Sequence, residues 1–168
     1  MRRTCDSHER MICDEIQNLD VCSRFQLTAS FIQHGSLSVY DHSVSVAHVS
    51  CHLAERFHLR VDYRSLIRGA LLHDYFLYDW HEKAKWHRWH GFRHPYTAWK
   101  NAKADFRINR RETNIILRHM FPLTPIPPAC REGWLVCVAD KICAMEESSK
   151  GIVKWFSRRL FRIASLLA

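Results

Sequence analysis

Glycine and proline are scarce, with only five of each in 168 residues, and that excludes the compositions of disordered and fibrous chains. Low-complexity tracts and internal repeats are absent. No apolar run approaches the roughly 18 residues of a membrane span, so a transmembrane helix is not expected. No charged start is followed by a leader-type apolar stretch, so export is not expected either. The seven cysteines, at 5, 13, 22, 51, 130, 137 and 143, include no C-x-x-C pair. An odd, unpaired set reads as reduced core thiols and points to a reducing cytoplasm.

Hydrophobic residues make up 47% of the chain and charged residues 25%, the balance of a soluble globular protein of single-domain size. The net charge of +8 is unevenly spread, because the last 19 residues hold Lys150, Lys154, Arg158, Arg159 and Arg162 and no acidic residue. Residues 1–149 then carry 20 basic against 17 acidic side chains. Such a mild excess suits a small anionic substrate as well as a polymer, and nucleic acid is not the expected partner.

Apolar residues recur at intervals of three and four, alternation is rare, and Asn-Gly and Asp-Gly hairpin signals are missing. The spacing predicts an all-α bundle in one domain over 1–168, with helices near 8–18, 21–34, 41–58, 63–74, 94–106, 110–120, 129–147 and 150–166. Asp62 and Asn109 are expected N-caps, Gly35 a helix stop, and Pro122, Pro125, Pro127 and Pro128 a rigid connector. Residues 75–93 contain Trp80, Trp86, Trp89 and Phe92 among His81, His87 and His90. The segment is too aromatic for a linker and too polar for a core, which suits a structured loop lining a site. Its aromatics either pack the loop onto the bundle or stack a nucleobase.

Six residues have the chemistry of metal ligands. His73-Asp74 ends the apolar stretch 66–72, either as a capped helix end or as a cation-binding pair. His42 shares a stripe with Val46 and Val49, as a hydrogen-bonded core histidine or as a ligand. Asp140 stands in the nearly apolar segment 133–145, where a carboxylate is costly unless an arginine or a metal holds it. His94, before Pro95, is expected to open a helix, and His119, before Phe121-Pro122, to close one. Taken singly, each of these two suits a surface as well as a site.

The order His42, His73-Asp74, His94, His119, Asp140 resembles the HD-domain superfamily of metal-dependent phosphohydrolases, over residues 42–140. The segments 69–75 and 139–142 look like those of bacterial symmetrical diadenosine tetraphosphate hydrolases. The resemblance implies a helical bundle that hydrolyses phosphomonoesters, phosphodiesters or nucleotides. It implies His42, His73, Asp74 and Asp140 as the core ligands, and His94 and His119 as the additional pair of binuclear members, with Asp74 bridging. Many members carry lysine three residues after the HD aspartate, whereas this chain has Leu77. That role would pass to Lys83 or Lys85, or be absent.

Such an imidazole-rich set favours Fe or Mn first, with Co, Ni, Zn or Mg as further candidates. Two such ions would lower the pKa of water and neutralise phosphoryl oxygens. Lys141 and Arg93, beside ligands in sequence, would clamp the phosphate or stand as solvated flanks. A leaving-group acid is expected from residues 75–93, with His90, His87 and Asp79 as candidates that spacing does not separate.

Two other roles stay open. An HD fold can serve as a non-catalytic nucleotide- or metal-binding regulatory module. The C-terminal segment 150–168 sets Lys154, Arg158, Arg162 and Ser165 against Ile152, Phe156, Leu160, Ile163 and Leu167. That pattern suits an anionic membrane surface or nucleic acid, or an apolar face that closes the bundle or a homodimer. In this arrangement the N-terminal helices in 1–40 and the C-terminal helix pack on the motif core.

Overall fold

A computed structural model describes the backbone of residues 2–21, 24–34, 37–79 and 89–164, with side chains between Ser7 and Ser148, His34 excepted. The elements are α1 (Arg2–Asp20), a 3-10 turn (Phe25–Ser30), β1 (Ile32–His34), β2 (Leu37–Ser38), α2 (Val39–Arg56), α3 (Tyr63–Leu72), α4 (His90–Asp105), α5 (Arg110–Arg118) and α6 (Arg131–Ala164). The fold is all-α, as the spacing predicts. Both expected caps form. Asp62 accepts from Ser65 N–H, and Asn109 makes a reciprocal capping box with Glu112.

Besides α1, which starts at Arg2 rather than near residue 8, three features differ from the sequence expectation. The helix expected over 21–34 is replaced by the 3-10 turn and an antiparallel hairpin that pairs Ile32 with Ser38 and His34 with Leu37. Thr28 Oγ1 donates to Phe25 O at 2.6 Å, a local bond that tightens the chain into a turn. Gly35, the expected stop, lies outside the described residues. The helices expected at 129–147 and 150–166 are one helix, α6. Gly151 alone costs a helix about 1 kcal/mol, which does not end it without a proline nearby. Finally, His94-Pro95 does not open α4, which starts at His90 and holds Pro95 inside. The bond that proline forfeits is the one to the Gly91 carbonyl, at the very start of the helix.

The central element is α3, which packs chiefly on α2 and α5. Its Leu66, Ile67, Ala70, Leu71 and Leu72 are fully buried, each large side chain contributing about 1.5–3 kcal/mol. Gly69 permits the approach of α5, since a Cβ there would overlap the side chain of Ile115. Arg68 reaches Glu112 at 3.0 Å and Glu15 at 3.5 Å, tying α5 and α1 to the same helix. Beyond α3, Tyr75 donates to Asp105 at 2.8 Å and its carbonyl accepts from Asn101 at 3.0 Å. Arg24 also holds Asp105, at 3.0 Å. These bonds fix the turn that carries His73 and Asp74.

Cys51, Cys137 and Cys143 are buried free thiols, whereas Cys13 is exposed. No helix among the described residues is long and apolar enough to cross a membrane. The face assignments made for 150–168 concern side chains outside the described set.

Candidate metal centre

Five segments deliver the six candidate ligands to one place. His42 comes from the first turn of α2, His73 and Asp74 from the turn after α3, His94 from α4, His119 from the end of α5, and Asp140 from α6. All are buried, from 0% exposure at His42 and His73 to 9% at Asp140.

Hydrogen bonds on the far side of each ring set its tautomer. His73 Nδ1 donates to Ala70 O at 2.7 Å, His94 Nδ1 to His90 O at 3.0 Å and His119 Nδ1 to Ile116 O at 2.8 Å. A carbonyl only accepts, so each of these rings carries its proton on Nδ1 and turns an Nε2 lone pair inward. His42 Nδ1 likewise donates outward, to the Glu147 carboxylate at 2.9 Å, while its Nε2 faces Asp140 Oδ1 at 3.2 Å. An outward carbonyl or carboxylate partner is the usual support of a metal-binding histidine.

The inward atoms nearly touch. His94 Nε2 and His119 Nε2 are 2.9 Å apart, and Asp74 Oδ1 lies 3.2 Å and 3.5 Å from them. Asp74 Oδ2 turns the other way, 3.4 Å from His73 Nε2. Asp140 Oδ1 is 3.2 Å from His42 Nε2 and 3.8 Å from His73 Nε2. Two sets of ligand atoms, His42–His73–Asp140 and His73–Asp74–His119, each fall within 4.8 Å. His73 Nε2 and Asp74 Oδ1 are buried without a hydrogen-bond partner. Opposed imidazole lone pairs and orphaned buried acceptors are satisfied together by a cation, and this nitrogen-rich donor set suits a divalent transition metal. Residues and metal therefore fit.

The electrostatics agree. Burial raises the Asp74 carboxyl, but His73, His94 and His119 outweigh it and hold the group well below the usual carboxylate range. Asp140 is likewise lowered, with burial opposed by hydrogen bonds to His42 and His73. Burial would lower His42, yet Asp140 and Glu147 raise it to about 10. His73 is raised as well, burial being outweighed by Asp74 and Asp140. Burial and the neighbouring His73 push His119 down to about 3. His119 is thus a ready neutral ligand, whereas His42 holds a proton that a metal must displace.

A cavity of about 590 Å³ opens off this cluster, with Asp74, His94, His119 and Asp140 in its lining. His90 also lines it, stacked on His94 at 4.7 Å, with Nδ1 2.9 Å from Tyr78 Oη. Lys141 lines it too, but its ammonium donates to His119 O at 2.9 Å and Cys137 O at 3.1 Å. Arg93 is exposed on α4 and is not part of the lining. Trp89 and Phe92 pack on each other at 5.9 Å but remain 61% and 49% exposed. Trp80, His81, Lys83, Lys85, Trp86 and His87 lie outside the described residues.

Two site residues are not singled out by the sequence. Glu147 stands seven residues after Asp140, two turns along one face of α6, so helical spacing carried a signal for it. Gln33, only 7% exposed, donates from Nε2 to Asp74 Oδ2 through a short contact. It sits on β1, in the stretch whose spacing suggests helix, and no local signal marks it.

The fold and donor set define an all-α protein with a buried His/Asp cluster that can hold a divalent metal ion. Residues 39–145, roughly two thirds of the chain, match the HD domain family, and the chain belongs to it. No curated protein and no solved structure matches the chain.

Proposed function

We propose that this protein is a metal-dependent phosphohydrolase that cleaves a phosphoester or phosphoanhydride of a nucleotide or another small phosphorylated metabolite. The observation that carries the reading is the set of four inward Nε2 atoms converging on two buried aspartates. Asp74 presents one oxygen to His94 and His119 and the other to His73. That division suits a bridge between two ions, of which Fe or Mn fit the donors best. His42, His73 and Asp140 would hold one, and His94 and His119 the other. When bound, such ions lower the pKa of water toward neutrality and offset charge on phosphoryl oxygens.

The chain's own residues supply the rest. Gln33 fixes the orientation of Asp74, and Glu147 fixes that of His42. His90, which lines the cavity and is braced by Tyr78, would pass a proton to the leaving oxygen. Lys141 adds positive charge at the wall, and Arg93, exposed one residue before His94, would attract anions. Free buried thiols suit a reducing cytoplasm.

The test is a hydrolysis screen of Mn- or Fe-loaded protein over nucleotides, dinucleoside polyphosphates and sugar phosphates. Turnover is expected with the native chain and background rates with Asp74→Ala. Equal turnover by Asp74→Ala sinks the proposal.

A further inference from the structure

The cavity over the metal centre has two chemically different ends. Its floor is Asp74, His94, His119 and Asp140, whereas its wall includes Met120, Pro122, Leu123 and Ala144. At about 590 Å³ it has the size of a small-molecule site. Gly91 keeps the wall close-fitting, since a Cβ there would lie 3.0 Å from Leu123 Cδ2 and 3.9 Å from Met120 Cε. Leu123 is 46% exposed and so reaches the opening.

Charge narrows the occupant further. Lys141 is the cationic side chain in the described lining, and its ammonium is spent on the carbonyls of His119 and Cys137. A phosphate at the floor can be met by the metal centre. Among the described lining residues, a second or third phosphate would meet the apolar wall and one ammonium already hydrogen-bonded to carbonyls, so its charge would lose hydration with little compensation.

The geometry points to a substrate class, resting on the phosphohydrolase reading: a phosphomonoester whose alcohol carries an apolar or aromatic body, lodged against Met120, Pro122, Leu123 and Ala144. A polyphosphate chain does not suit the wall that the described residues form.

The first test is calorimetric binding of methyl-, propyl- and pentylphosphonate to Mn-loaded protein, a readout independent of turnover. Affinity is expected to rise about four-fold per added methylene. In Leu123→Ser, checked for matched metal content, the pentyl-over-methyl ratio is expected to fall several-fold. A flat series, or an unchanged ratio in Leu123→Ser, overturns the inference. The second test compares KM for naphthyl phosphate with KM for ATP and diadenosine tetraphosphate, the first expected to be about ten-fold lower. A lower KM for either polyphosphate overturns the inference and leaves the hydrolase reading standing. A graded phosphonate series with no hydrolysis of any substrate supports the apolar wall and overturns the hydrolase reading.

Discussion

His94 Nε2 faces His119 Nε2 at 2.9 Å, with Asp74 Oδ1 against both. Because both rings donate from Nδ1 to carbonyls, two neutral imidazoles so placed oppose their lone pairs. A divalent ion held there would relieve that repulsion and would favour the folded chain over the unfolded one. Loading chelator-stripped protein with Mn at about 100 times its Kd should add about 2.7 kcal/mol. For a chain of this size that is a rise in Tm of roughly 5–10 °C. Differential scanning fluorimetry reads it, and His119→Ala should shrink the rise.

The gain should depend on pH. His42 is raised to about 10 in the folded metal-free protein, above an unfolded value of about 6.5. Its contribution to metal-free stability is complete below about 6.5 and is lost as pH climbs toward 10. Asp74 and Asp140 are lowered, so their contribution is present above about 4 and is lost as pH falls. Metal must displace the His42 proton, so the metal-induced rise in Tm should grow between pH 6 and 9. A rise of constant size across that range contradicts the assignment.

Glu147 should act through His42 rather than on substrate, because its carboxylate contacts Nδ1 at 2.9 Å. Glu147→Ala is expected to weaken metal binding about 10- to 100-fold, with Glu147→Gln, which keeps an acceptor, weakened less. Competition with a fluorescent chelator measures both. Equal affinities in the two variants would refute the positioning role.

Stability can be gained away from the site at His58. Its φ of 51° follows α2, with His58 N–H donating to Glu55 O at 3.0 Å and Leu59 N–H to Ala54 O at 2.8 Å. This paired helix ending is where glycine is usually found, and a histidine there is strained. His58→Gly should stabilise the protein by about 0.5–1 kcal/mol, a Tm rise of roughly 1–4 °C. A lower Tm would contradict it.

Signals that act within a few residues were legible in the sequence. Asp62 and Asn109 cap their helices because a side chain needs only to reach an amide three residues on. The apolar period of 66–72 made α3 the core, and the ligand order made the site recognisable. Signals that depend on distant partners were not. Lys141 and Arg93 adjoin ligands in sequence, yet neighbours on a helix point in different directions. The Lys141 ammonium therefore turns to the carbonyls of Cys137 and His119, and Arg93 turns to solvent.

Gln33 reaches Asp74 across 41 positions, and Glu147 reaches His42 across 105. Residue types and spacing alone specified an all-α chain with six ligand candidates. Which oxygen of Asp74 faces which histidine, which ring nitrogen turns inward, and how apolar the wall above them is were decided by packing, because each depends on groups that only the folded chain brings within hydrogen-bond reach.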